Sequence, residues 1–211
     1  MNSTVKYYNK NSREYFEKTR GTDMSELYEA FLPYLPEHGS ILDAGCGSGR
    51  DLKFFREHGH DAEGIDASEE LCRLAEAYSG CKVTCCRMED FLPDKKYDGI
   101  WCCASLLHLE DGAVIEFFRK CQDWLTDGGI LFLSVKTGIP TGEDEKGRWF
   151  QNFDEGKIRE LLVECPRLHL EQVFYTEDKT GRRGWKWMNA LIRRKTVVAL
   201  LRDGKCSKEM N

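Results

Sequence analysis

The chain has 211 residues, 41% of them hydrophobic and 32% charged, the balance of one water-soluble domain with a substantial core. Its formal net charge of −5 argues against a general nucleic-acid binder. No apolar run approaches the roughly 20 residues of a spanning helix, and Met1–Lys6 lacks the apolar core of a secretory signal. A cytoplasmic protein without a membrane partner is expected.

Residues 1–35 read as an N-terminal helical cap. Tyr7, Tyr8, Tyr15, Phe16, Leu27, Tyr28, Phe31 and Leu32 recur at loosely helical spacing, and Pro33 and Pro36 punctuate the entry to a strand. Ile41–Ala44 is the first expected strand, and Asp51–Glu57 its helix, closed by His58-Gly59. Asp61–Asp66 is the second strand. Ser68 then caps a helix running to about Tyr78, with Glu69 and Glu70 at its positive end.

Lys82–Cys86 is the third strand, and Tyr97–Cys103 the fourth after a polar turn at Pro93–Lys96. A helix near Asp111–Leu125 is expected to stop at Asp127-Gly128-Gly129, before the strand Ile130–Lys136. This alternation predicts a doubly wound, mostly parallel sheet with helices on both faces, a three-layer α/β/α architecture.

After residue 136 the pattern changes. Thr137–Gly147 is a polar loop long enough to be functional, and Asp154 caps a helix through Glu164. Leu168–Thr176 and Trp185–Arg193 alternate as the two strands of a hairpin, ending the sheet with an antiparallel pair. One domain thus spans 1–195, made of the cap, a core at 40–136 and a terminal part at 137–195. Residues 196–211 form a tail of unassigned role.

Ten cysteines raise the question of a disulfide or metal framework. Cys85-Cys86 and Cys102-Cys103 are adjacent pairs in strands, where neighbouring side chains face opposite ways. No C-x-x-C occurs, and no Cys/His spacing matches a zinc site. They read as small buried hydrophobes, with no metal expected.

The chemistry concentrates in Ile41–Arg50, where a strand runs into a turn with Gly45, Gly47 and Gly49 at alternate positions. Bare backbone there can approach a ligand that side chains would block. The spacing is G-x-G-x-G, and Arg50 stands where the dinucleotide fingerprint wants a small residue. Asp66, closing the next strand, is placed to present a carboxylate to a ribose.

Five segments taken in order give the chain its resemblance to the class I S-adenosylmethionine-dependent methyltransferases, specifically the small bacterial type with a short N-terminal cap. They are Asp43–Gly49, Asp66, Tyr97–Ile100, Ser105–Leu109 and Leu125–Leu131. The resemblance covers roughly residues 5–195. It implies a Rossmann-like seven-stranded sheet with its last strand inserted antiparallel, and S-adenosylmethionine as cofactor.

It also implies roles. The backbone of Gly45, Cys46, Gly47 and Gly49, followed by Arg50, would border the homocysteine part of the cofactor. Asp43 would reach the methionyl ammonium or only tie down its turn. Asp66, followed by Ala67, would hold both ribose hydroxyls. Backbone amides of Met88 or Glu89 would read the adenine, with Met88 packing on it or belonging only to the core, although Arg87 stands where many relatives carry an acid. Cys103 would line the passage toward the methyl. Tyr8, Tyr15 and Arg20 would close over the cofactor's carboxylate, or simply pack the cap.

His108 is the candidate base, since imidazole titrates near neutrality; its alternative is a plain loop residue. Trp149 and Phe150, preceded by Arg148, suggest a substrate wall, or aromatics that only pack the core. Cys102–Ser105 is not the Asn/Asp-Pro-Pro-Tyr of amino-group methylation, and no Pro-Cys pair suggests cytosine attack. A small-molecule acceptor is therefore expected, by elimination. The alternatives are RNA, bound by Arg182, Arg183, Lys186, Arg193, Arg194, Lys195, Arg202 and Lys205, or a non-catalytic module that binds the cofactor.

Overall fold

A computed structural model of the chain describes residues 3–178 and 186–196. Three short helices open it: α1 (Ser3–Lys10), α2 (Ser12–Thr19) and α3 (Ser25–Phe31). β1 (Ser40–Ala44), α4 (Arg50–Glu57), β2 (Asp61–Asp66), α5 (Glu69–Ser79), β3 (Val83–Cys85) and β4 (Tyr97–Cys103) follow. α6 (Asp111–Trp124), β5 (Leu125–Thr137), a ribbon of β6 (Gly142–Glu143) and β7 (Trp149–Phe150), α7 (Glu155–Val163), β8 (Leu168–Glu177) and β9 (Lys186–Arg194) complete it.

Seven strands form one sheet in the order β3-β2-β1-β4-β5-β9-β8. β1 to β5 pair in parallel, while β9 runs antiparallel to both β5 and β8. The expected fold class is the one observed. Strand order reverses between β1 and β4, and the crevice outside their carboxyl ends is where such sheets bind ligands.

Both faces of the sheet are covered, which explains why β5 is fully buried from Ile130 to Leu133. On one face Leu42, Ile100, Leu131 and Leu133 pack with Phe117, Phe118 and Ile158 of α6 and α7. On the other, Ile41, Trp101 and Phe132 pack with Phe31 and Phe55. Trp101 stacks on Phe132 with ring centroids 4.0 Å apart. α3 thus belongs to the core, whereas α1 and α2 lie against α5.

Two local expectations are corrected. The stop expected at Asp127–Gly129 is the bulged start of β5, which follows α6 directly. Thr126 Oγ1 donates to Asp98 Oδ1 at 3.0 Å, and the pairing with β4 shifts register between Tyr97 and Gly99. A Cβ on Gly129 would stand 3.0 Å from the Thr126 carbonyl oxygen, so glycine permits this approach rather than ending an element. Within the expected loop 137–147, β6 forms and pairs with β7. Asp144 Oδ1 accepts the Lys146 and Arg148 amides at 3.0 and 2.9 Å, building the turn between them.

Candidate active site

The glycine turn follows β1 with Gly45 at φ 84° and Gly47 at φ 54°, both left-handed. A Cβ on Gly45 would lie 2.3 Å from Ser105 Cβ. Ser105 cannot yield, because its Oγ donates to the Ala44 carbonyl at 2.6 Å. The first βα turn is therefore pressed against the end of β4, as bare backbone.

Asp66 is tied to that turn. Its Oδ2 accepts the Gly47 amide at 3.0 Å and its Oδ1 the Ser68 amide at 2.8 Å. Each carboxylate oxygen keeps further acceptor capacity. Burial pushes the Asp66 carboxyl up in pKa, while the Ser68, Gly47 and Ala67 amides pull it back. Asp43, 1% exposed, stands behind the turn, and its Oδ2 has no hydrogen-bond partner among the described residues. Burial, then the nearby Asp51 charge, raise its pKa well above the usual carboxylate range, and Arg50 opposes them. A buried acceptor without a donor is costly unless a ligand supplies one.

A cavity of about 300 Å3 opens in front of these groups. Gly45, Gly47, Asp66, Ala67, Met88 and Glu89 line it, with Thr4 and Val5 from α1 and Trp149 from β7. A second cavity of about 150 Å3 lies over the ends of β4 and β5. Cys103, Ser134, Lys136, Phe150, Thr176 and Trp187 line it, with Arg50 and Arg148. Tyr8, Tyr15, Ala104 and His108 border both cavities.

Each member of this shared wall is held. Ala104 takes φ 59°, unusual for a residue with a Cβ, and its amide donates to the Ser134 carbonyl at 2.9 Å. Such strain persists only where the surroundings fix it, and it clusters at functional sites. The Tyr15 ring lies over Gly47, where an added Cβ would be 3.2 Å from Cε1. His108 Nδ1 is 2.6 Å from the Trp149 carbonyl and its Nε2 is 2.9 Å from Tyr8 Oη. A carbonyl only accepts, so Nδ1 carries the proton and Nε2 accepts from the tyrosine. Burial lowers the His108 pKa to about 4, fixing the neutral ring at physiological pH.

These placements revise several expected roles. Gly45, Gly47, Asp66, Ala67, Met88, Glu89, Tyr8, Tyr15 and His108 all converge on the first cavity. Cys46 does not; its side chain turns behind the sheet toward Leu52, Ala75 and Cys81. Gly49 lies against α5, where a Cβ would stand 2.8 Å from Ala75 Cα. Arg20 faces solvent at the end of α2, paired with Glu17 at 2.8 Å. Arg50 and Cys103 belong to the second cavity. Trp149 turns to the first cavity and Phe150 to the second, because neighbours in a strand face opposite ways. His108 offers no free lone pair, having bonded Tyr8.

Sequence reasoning missed Thr4, whose Oγ1 accepts the Trp149 amide at 2.9 Å, and Lys136, a buried lysine ending β5. A lysine inside an apolar strand is the signal that would have found the second. Of the basic strip, Arg182, Arg183, Arg202 and Lys205 lie outside the described residues. Arg194 pairs with Asp127, and Arg193 lies over the Tyr34 ring and 3.6 Å from Glu171. Among the described residues nine cysteines are free thiols, no metal-holding cluster occurs, and no helix is long and apolar enough to cross a membrane.

The same architecture recurs in known proteins. A family model described as a methyltransferase domain matches residues 15–176. The human N-terminal Xaa-Pro-Lys N-methyltransferase 1 is 33% identical over 134 residues, 58% of this chain and 56% of its own length. The chain spans about half the length of the curated relatives it matches. Burkholderia thailandensis 1,6-didemethyltoxoflavin-N1-methyltransferase, solved with 1,6-didemethyltoxoflavin and S-adenosylhomocysteine, superposes with a TM-score of 0.71 at 20% identity. That match covers 90% of this chain and 88% of the other. Magnesium protoporphyrin IX methyltransferase from Synechocystis, solved with S-adenosylmethionine, gives 0.60 at 15% identity over 90% of this chain and 80% of its own. With three quarters of its length matched to the methyltransferase-domain model and its glycine turn and acidic strand end in place, the chain belongs to the class I S-adenosylmethionine-dependent methyltransferase family.

Proposed function

We propose that the chain transfers a methyl group from S-adenosylmethionine to a small molecule held in the second cavity. The observation that carries this is the shared wall: two cavities meet at Tyr8, Tyr15, Ala104 and His108. S-adenosylmethionine, when bound, supplies a methyl carbon made electrophilic by its sulfonium.

The residues lining the first cavity, and Asp43 behind it, fit that cofactor. The orphaned Oδ2 of Asp43 suits a nearby ammonium, and the spare acceptor capacity of Asp66 suits a vicinal diol. Met88, 8% exposed, offers an apolar thioether for a flat ring.

The protein's own contribution is alignment and exclusion of water. α1 and β7 are fastened together across the first cavity by the Thr4–Trp149 bond. Tyr15 roofs Gly47, and the Tyr8 ring meets the Tyr15 ring edge-on at 5.2 Å. An acceptor that must shed a proton can bond to the Tyr8 oxygen, whose own proton is directed at His108 Nε2. The second cavity, about 150 Å3 in volume, suits a compact acceptor.

Calorimetric titration with S-adenosylhomocysteine and with NAD tests the cofactor assignment; binding of NAD alone overturns it. Incubation with methyl-labelled cofactor and fractionated cell extract tests the acceptor. Label is expected in a low-mass fraction, and label only in protein or RNA overturns the small-molecule assignment.

A further inference from the structure

Three cationic side chains, Arg50, Lys136 and Arg148, line the second cavity. Arg50 enters it from the start of α4 with its side chain 17% exposed. Asp51 holds Nε and one Nη of that guanidinium at 2.7 and 2.8 Å. The same carboxylate accepts from Tyr28 Oη at 2.5 Å and Trp101 Nε1 at 2.9 Å. Asp51 is 5% exposed, so these bonds lock Arg50 as a fixed plate. The other Nη makes no hydrogen bond among the described residues.

Lys136 joins from β5, buried, with Nζ 4.8 Å from the Phe150 ring centroid and 5.5 Å from that of Trp187. Arg148 comes from beside β7, bonded to Asp144 Oδ2, with its guanidinium carbon 4.9 Å from the Phe150 centroid. The acids of the lining, Glu177 and Asp178, stand at the end of β8. Glu177 is exposed, and Asp178 accepts from Trp187 Nε1 at 3.2 Å. The two arginines are thus each paired with an acid, Asp51 and Asp144, while Lys136 stands beside Phe150 and Trp187.

We propose that the acceptor is a compact planar ring bearing a carboxylate, its carboxylate seated at the open edge of Arg50 and its ring beside Phe150 and Trp187. This rests on the second cavity being the acceptor site. A guanidinium edge matches a carboxylate in plane and donates charge-assisted bonds. Lys136 adds a second positive charge facing the same space. An acceptor that is itself cationic, such as a peptide of the Xaa-Pro-Lys type named for the human relative, would meet like charge there.

The test uses the full chain saturated with S-adenosylhomocysteine. Ligand-observed NMR with benzoate, salicylate and anthranilate is compared with benzamide, salicylamide and benzylamine, all at millimolar concentration. The carboxylates are expected to bind at least about tenfold more tightly than their amides, with benzylamine not binding. Arg50→Gln combined with Asp51→Asn, which leaves no orphaned buried charge, and separately Lys136→Met, are each expected to remove most of that preference. S-adenosylhomocysteine affinity should be unchanged in Lys136→Met.

Equal or tighter binding of the amides or the amine overturns the proposal, as does failure of all three carboxylates to bind. In either case a normal titration with S-adenosylhomocysteine leaves the methyltransferase assignment standing. Failure of that titration itself sinks both. If the double variant does not fold, Lys136→Met decides alone: retention of the full carboxylate preference overturns the cationic seat.

Discussion

Tyr8 Oη and His108 Nε2 lie 2.9 Å apart, joining the first helix of the cap to the turn after β4 across 100 residues of chain. The bond makes a cap residue part of the boundary between two cavities. It also changes what His108 can do. With Nδ1 donating to Trp149 and Nε2 accepting from Tyr8, the imidazole orients a phenol rather than meeting an acceptor itself.

Tyr8→Phe keeps the ring and its edge contacts and removes only Oη. If the proton route runs through that oxygen, kcat falls about a hundredfold, while S-adenosylhomocysteine affinity changes by less than about threefold. Steady-state kinetics and calorimetry separate the two quantities. An unchanged kcat with weakened cofactor binding would instead make Tyr8 a clamp on the first cavity.

The same histidine should make the protein acid-sensitive. Its pKa in the folded state is about 4, against an ordinary value of 6.5, because burial disfavours the charged ring. Between those values the native state binds fewer protons than the unfolded chain. The stability this contributes is present above pH 6.5 and is lost as pH falls toward 4, by up to about 3 kcal/mol. His108→Asn, which can still donate to the Trp149 carbonyl, should lose less. Urea denaturation of both proteins at pH 7 and at about pH 4.5 checks this. Equal losses would show that His108 is not responsible.

The backbone of the glycine turn is equally exposed to test. Gly45→Ala combines a left-handed residue with a Cβ 2.3 Å from Ser105 Cβ. About 2–4 kcal/mol of destabilisation is expected, with loss of cofactor binding. Gly21→Ala, where a Cβ meets nothing within 4 Å, should stay within about 0.5 kcal/mol of the parent. Thermal melts of the two variants give the comparison.

Much of this was legible in the residues because it is local. Strand ends at Ala44, Asp66 and Cys103 follow from apolar runs meeting turns, and the Ser68 and Asp154 caps from short polar side chains one residue before their helices. What escaped depends on contacts between distant segments. Asp51 reads as an ordinary acid in the first turn of a helix, yet it is buried because Tyr28 and Trp101 reach it from 23 and 50 residues away. Arg50 follows it into the second cavity. The opposite facings of Trp149 and Phe150 required β7, a two-residue strand too short to leave a periodic signal. Arg20 shows the converse: its charge suits an anion, but α2 ends with it in solvent.

Asp66 offers a direct test of whether its carboxylate holds the ribose. Asp66→Asn must point an amide nitrogen at either the Gly47 or the Ser68 amide, both of which are donors. It loses charge as well. S-adenosylhomocysteine affinity is expected to fall by about 1.5–3 kcal/mol, or ten- to a hundredfold. Unchanged affinity by calorimetry would remove Asp66 from the cofactor site.

If the orphaned Asp43 Oδ2 receives the cofactor's ammonium, cofactor binding is linked to protons. Burial and the Asp51 charge raise its pKa, favouring the neutral acid, while a cation bonded to its orphaned Oδ2 would favour the carboxylate. Binding of an ammonium-bearing cofactor must then release protons wherever Asp43 is partly protonated beforehand. Affinity rises as pH increases through that titration and falls as pH drops, and the sign is fixed by the raised pKa. Calorimetry in buffers of different ionisation enthalpy reads the released protons directly. Asp43→Asn keeps the shape of the side chain, abolishes the buffer dependence and weakens binding across the range. A wild-type enthalpy that does not vary between buffers at any pH would place the ammonium elsewhere, and would leave Asp43 with the single task of anchoring the turn after β1.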